Sequence, residues 1–196
     1  MFRAKRRTVV TVAAVAVVLL AAALTVTLTT GSGAQAGVSY LDGNPAQRVY
    51  AVGDRPLAPD FSGTSLTGSP IKLADYRGKI VVLNFWGSWC PPCRAEAPTL
   101  AVLAEQYATK GVAFLGDDVA DTPANALDFT RSVGITYPSV NDPGYAVVLD
   151  FSRVVPVNDT PTTVVIDRTG RIAGMVLGKV SYAAMVTLLK DAAVTS

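Results

Sequence analysis

An α/β sandwich with a central mixed sheet flanked by helices is the fold this sequence predicts, and three observations predict it. Two mostly apolar runs, IVVLNFW at 80–86 and VAFLGDD at 112–118, each lead into a segment with helix start and stop residues. That alternation points to parallel strands. Near the end, TPTTVVID, RTG and RIAGMVLG (160–178) read as strand, tight turn and strand, hence an antiparallel hairpin. SYAAMVTLLKDAA (181–193) then closes the chain as an amphipathic helix capped by Ser181.

Taken from the N-terminus, residues 1–36 stand apart. MFRAKRR carries four basic residues and no acid, and residues 8–28 carry no charge. About 20 such residues can span a bilayer, with the basic end held on the cytoplasmic side. The segment reads as a signal peptide or a signal anchor. AQA at 34–36 is a small-x-small cleavage site, whereas a run longer than the usual core of about 7–15 residues favours an uncleaved apolar helix. No cysteine follows closely enough to be a lipoprotein site. Under either reading the remainder is exported. Residues 37–51 are expected as a linker and 52–196 as the folded domain.

Within that domain, FSGTSLTGSPIKLADYRGK (61–79) is expected as an N-terminal hairpin extension turning at TGSP. IVVLNFW follows as a central strand buried on both faces. PPCRAEAPTLAVLAEQYATKG (91–111) is a helix with Pro91 and Pro92 in its first turn, Gly111 closing it and Pro98 kinking it. VAFLGDD is the second strand. DTPANALDFTRSVG (121–134) is a helix with Asp121 or Thr122 as cap, Pro123 in the first turn and Gly134 at the end. A short extended piece, ITYPSVND, and a short helix, GYAVVLDF, precede the terminal hairpin.

Charge and cysteine content narrow the function. The whole chain is formally +2, but without the N-terminal segment 13 basic residues face 15 acidic ones. Nucleic-acid binding needs a clustered basic face, which is missing. The only cysteines are Cys90 and Cys93, in NFWGSWCPPCRAE, and there is no histidine. A structural zinc site needs about four Cys or His ligands, so no metal is expected. Haem attachment through C-x-x-C-H fails because Arg94 follows Cys93. A lone bridge over so small a loop stabilises little, which argues against a structural staple.

A redox couple has a mechanism. Cys90 lies where a buried strand gives way to a helix, and the free N–H groups of a first turn favour a thiolate there. Cys93, three residues on, can attack a mixed disulfide and is expected to be the more buried of the two. Trp86 and Trp89 flank the pair with apolar surface, and Trp86 reads mainly as a packing residue.

VVLNFWGSWCPPCRAEAP, with APDF at 58–61, LADYRGK at 73–79 and TPTTVVIDRTGRI downstream, resembles the thioredoxin-fold family of exported, membrane-tethered thiol–disulfide oxidoreductases (the TlpA/ResA/CcmG-like group). The resemblance covers roughly residues 59–190. It implies a thioredoxin-like fold, a cis peptide bond before Pro161 and a substrate peptide pairing beside it. It implies further that Glu96 is the acid/base near the cysteines, on their helical face. Plain thioredoxins place an aspartate in the preceding strand, where this chain has Asn84. Trp89, Pro91, Pro92, Thr160 and Pro161 are the expected substrate-contacting residues. Two departures stand out: the segment FSRVVPVNDTP is long, and Thr160 replaces a common aliphatic residue.

The expectation is an extracytoplasmic thiol–disulfide oxidoreductase that exchanges Cys90–Cys93 with exported Cys-containing proteins, in cytochrome c maturation or in disulfide formation. A membrane redox partner would recycle it, the N-terminal segment would attach it to the membrane, and no cofactor is required. Two alternatives stand beside it. A peroxiredoxin would need P-x-x-x-T/S-x-x-C, but Leu83 and Trp86 occupy the proline places for Cys90 and Cys93. A non-catalytic binding module would use the disulfide only for stability.

Overall fold

The computed structural model describes residues 37–157 and 159–194. The apolar run at 8–28 lies outside them. Among the described residues no helix is long and apolar enough to cross a membrane.

The organising element is β5 (Ile80–Trp86), every residue of which is buried. A chain buried on both sides needs partners for both edges and cover for both faces. β6 (Val112–Val119) pairs with it in parallel, and β7 (Ser139–Asp142) pairs in parallel with β6. On the other edge β8 (Thr162–Ile166) runs antiparallel to β5, and β9 (Ile172–Leu177) runs antiparallel to β8. This is the expected mixed sheet, parallel first and antiparallel last.

The expected linker at 37–51 is instead part of the sheet. β1 (Val38–Tyr40) pairs antiparallel with β2 (Gln47–Tyr50), and β2 pairs antiparallel with β9. The resulting order is β1-β2-β9-β8-β5-β6-β7. The physical reason is the edge of β9, whose N–H and C=O groups would otherwise stand unpaired. Gly43 and Pro45 serve the connection between β1 and β2, where Asp42 and Gly43 take positive φ (52° and 71°). The expected hairpin extension is present as β3 (Ser62–Thr64) and β4 (Pro70–Lys72), a separate two-stranded sheet.

Among the described residues four α-helices complete the fold: α1 (Pro91–Tyr107), α2 (Pro123–Val133), α3 (Ala146–Ser152) and α4 (Tyr182–Ala192). α1 runs through Pro98 as one helix. Thr122 is the cap of α2, accepting the Asn125 N–H, and Gly134 ends it in the left-handed region at φ 75°. Ser181 caps α4 by accepting the Ala184 N–H.

Strand alternation sorts the core into two layers. Val81, Leu83 and Phe85 join Leu115, Val140, Phe151 and Val164 on one face, beneath α3 and the segment at 58–73. Ile80 and Val82 join Leu100, Leu103, Val165, Met185 and Leu188 on the other, beneath α1 and α4. The stretch between β2 and β3 is fastened by Arg55, which is 2% exposed and pairs with Asp167 at 3.0 Å and Asp191 at 2.9 Å. Its guanidinium also donates to the carbonyls of Asp191 and Val194, so the buried charge is satisfied on every side.

Candidate active site

β5 ends at Trp86, and the chain turns through Gly87–Ser88–Trp89 into α1. Three contacts shape that turn. The Cys90 N–H donates to the Gly87 carbonyl (3.1 Å), the Ser88 N–H to Asp121 Oδ2 (2.8 Å), and Trp89 Nε1 to the Val119 carbonyl (3.1 Å). Trp86 is a buried packing residue, as expected: its ring centroid lies 5.6 Å from that of Phe129 and its Nε1 donates to Ser139 Oγ. Its indole crosses Gly116, where a Cβ would collide with Trp86 and Ser139, so β6 needs a glycine there.

Cys90 and Cys93 are joined as a disulfide with Cα atoms 5.3 Å apart. Cys90 is the N-cap of α1, and its Sγ accepts the Cys93 N–H at 3.2 Å. The first turn was expected to offer several free N–H groups, but proline at the first two helical positions removes two of them. One aimed donor, the Cys93 amide, remains for the Cys90 sulfur, while the Arg94 N–H goes to the Cys90 carbonyl. Cys93 is the more buried of the two, as expected, but by little: Cys90 is 2% and Cys93 1% exposed in this oxidised form. Position in the capped turn separates them instead.

This suggests a direct test. Pro92→Ala restores an N–H at the second helical position, within reach of the Cys90 sulfur. A contribution of about 0.3–1 kcal/mol raises the thiolate fraction of reduced Cys90 about two- to fivefold at fixed pH. Thiolate absorbance against pH should show this, and an unchanged curve would mean that the prolines do not limit thiolate stabilisation.

Glu96 lies one turn beyond Cys93 and is 1% exposed. Its Oε1 accepts from Asn84 Nδ2 (2.8 Å) and its Oε2 from the Val180 N–H (2.7 Å). Burial pushes its carboxyl up to about 7, while the Val180 and Asn84 bonds and the Lys179 charge pull the other way. A carboxyl poised there can take or give a proton near neutral pH.

Thr160–Pro161 is a cis peptide bond. Thr160 and Trp89 line one cleft of about 170 Å³, together with Phe85, Tyr145, Val148 and Asp159. Trp89 is 52% exposed at its edge. The Pro161 carbonyl accepts the Gly178 N–H (2.8 Å), which ties the cis bond to the loop that carries Val180. Pro91 and Pro92 are exposed in the first turn of α1 and are not among the cleft-lining residues. Sequence reading missed Tyr145, Val148 and Asp159, which reach the cleft from the α3 region and from the long segment before Pro161. It also missed Asp121 and Val180. Only the unusual length of FSRVVPVNDTP gave a signal for any of these.

A further surprise is chemical. Asp117 and Asp118, adjacent in β6, are both buried, and among the described residues none of their four carboxyl oxygens has a hydrogen-bond partner. Burial is the first cause that raises both, Asp117 to about 9 with added repulsion from Asp142 and Asp118, and Asp118 to about 8 with added repulsion from Asp121.

A profile of the AhpC/TSA family matches residues 54–175. The chain belongs to the AhpC/TSA family. As an AhpC/TSA member it is 38% identical over 130 residues to the thiol-disulfide oxidoreductase ResA of Geobacillus thermodenitrificans, covering 66% of this chain and 71% of that protein. Two solved structures have the same fold. A DsbF homologue from Corynebacterium diphtheriae superposes with a TM-score of 0.69 at 34% identity, covering 78% of this chain and 96% of the other. A secreted thiol-disulfide isomerase from Corynebacterium glutamicum gives 0.70 at 32%, covering 80% and 99%. The thioredoxin-like fold and the activity class follow: this AhpC/TSA member is a thiol–disulfide oxidoreductase.

Proposed function

We propose that the chain works outside the cytoplasm, exchanging its Cys90–Cys93 disulfide with exported Cys-containing proteins, and that a membrane redox partner resets it. The observation that carries this reading is the capped disulfide at the end of β5, next to the Trp89–Thr160 cleft and the cis bond before Pro161.

A substrate thiolate attacks Cys90 Sγ, forming a mixed disulfide and releasing Cys93 as a thiolate, which Glu96 protonates. A second substrate thiolate then attacks the substrate sulfur of that mixed disulfide and releases Cys90. The substrate loses two electrons and Cys90–Cys93 gains them. Run backwards, the same steps reduce a substrate disulfide, with Cys90 attacking and Cys93 resolving. The cleft takes the residues flanking the substrate cysteine, with Thr160 and Trp89 as its walls and Pro161 beside them. Cytochrome c maturation uses the reducing direction and disulfide formation the oxidising one. The reduction potential of Cys90–Cys93 against its compartment assigns the chain between them, since about 30 mV is worth about 1.4 kcal/mol.

The peroxidatic pattern is absent: Leu83, not proline, stands seven residues before Cys90. A Cys93→Ser variant tests the proposal. Reduced and mixed with a disulfide-bearing exported protein, it should accumulate a covalent adduct through Cys90, seen by mass spectrometry and released by added thiol. No adduct under conditions where the native chain reacts would refute the assigned roles.

A further inference from the structure

We propose that Asn84 is the positioning residue of this site, orienting Glu96 toward the cysteines and holding its carboxylate with a neutral donor. The assignment deepens the acid/base reading of Glu96 and rests on it for its catalytic meaning.

Asn84 projects from β5 on the α1 side and is 4% exposed. Both N–H groups of its amide are used, one on Glu96 Oε1 at 2.8 Å and one on Thr163 Oγ1 at 3.0 Å. Thr163 is its cross-strand partner on β8, so sheet register delivers the anchor. Turning the amide over would set its carbonyl oxygen against the carboxylate, and this fixes the orientation. Glu96 Oε2 is held by the Val180 N–H at 2.7 Å. The carboxylate is thus gripped once on each oxygen, from the sheet under the cysteines and from the loop behind Pro161.

Among the described residues no cation bonds Glu96. The charged and titratable groups that face it are Lys179 in the β9–α4 loop, which attracts its charge, and half-buried Tyr137 ahead of β7, on which it acts in turn. The two neutral donors oppose burial more than Lys179 does. The residue at 84 also decides how many acids titrate there. Aspartate would place a second carboxylate against Glu96, and the two would share a proton. Leucine would leave Oε1 buried without a donor. Asparagine lets Glu96 ionise singly.

The test follows the Glu96 side-chain carbon and the Val180 amide by NMR against pH in the oxidised full chain. In Asn84→Leu the Glu96 midpoint should rise by about 1–2 pH units, the equivalent of one hydrogen bond to a charged acceptor. In Asn84→Asp the single step should split into two. Thr163→Val keeps Asn84 but frees its anchor and should shift the midpoint in the same direction by less, which serves if the Leu variant does not fold. A midpoint unmoved in folded Asn84→Leu, or in folded Thr163→Val should the Leu variant not fold, would overturn the proposal. A purely structural role would lower the melting temperature and leave the titration alone. The measurement needs no substrate, so a chain that exchanged no thiols would sink the redox reading and still decide this one.

Discussion

Cys90→Ser should abolish thiol–disulfide exchange, lowering the rate by at least about a thousandfold, while leaving the fold intact. Only a thiolate attacks a disulfide, and a serine hydroxyl neither ionises near neutral pH nor forms a stable bond to sulfur. Cys93 alone has neither the cap position nor its own amide aimed at its sulfur. The fold should tolerate the loss. The cysteines are three residues apart, and on loop entropy so short a bridge is worth about 2 kcal/mol. The two sheet faces hold the strand and helix independently of it. Amide spectra of the variant should overlay those of the native chain beyond the 88–96 turn. Exchange is read on a peptide disulfide reporter. Retained activity in a folded Cys90→Ser protein would end the assignment of Cys90 as nucleophile.

Asp117→Asn should stabilise the protein, by roughly 2–4 kcal/mol at pH 7–8. Asp117 is fully buried beside Asp142, whose oxygens accept the Ala146 and Val147 N–H groups at the start of α3. As a carboxylate Asp117 has no partner; protonated, it can donate to Asp142. Its carboxyl, pushed up to about 9, keeps a proton that the unfolded chain releases above about pH 4. The folded state binds more protons through that interval, so stability falls as pH rises from about 4 to about 9. Asparagine carries the donor permanently and has no proton to lose. Urea melts of the native and variant chains at pH 6, 7 and 8.5 should diverge with pH, the variant showing the flatter slope. Asp118 and Glu96, raised for the same reason, leave a residual slope in both. Equal slopes would mean that Asp117 is already ionised in the native state.

Much of this molecule is legible in local sequence. The all-apolar character of β5, the capped helix starts at Cys90, Thr122 and Ser181, and the turn between β8 and β9 are each set by residues within one turn or strand of one another. The W-C-P-P-C turn was readable for the same reason, whereas the cis bond before Pro161 was expected only through the family resemblance. The role of β1 and β2 was not. Val38–Tyr40 and Gln47–Tyr50 are too short and polar to read as strands, and only the open edge of β9 makes them so.

What the sequence by itself determined is the chemistry available: two cysteines at one strand-to-helix turn, an acid one helical turn away, and no histidine. The tertiary structure decided what that chemistry meets. Glu96 is held by Asn84, 12 residues away, and by Val180, 84 residues away; Thr163 anchors Asn84 across 79 residues. Asp117 meets Asp142 only because β6 and β7 lie in one register. The cleft draws its walls from β5, the active-site turn, α3 and the approach to Pro161. Strand propensity and helix caps act over a few residues, whereas the register of a seven-stranded sheet assigns neighbours across the whole chain.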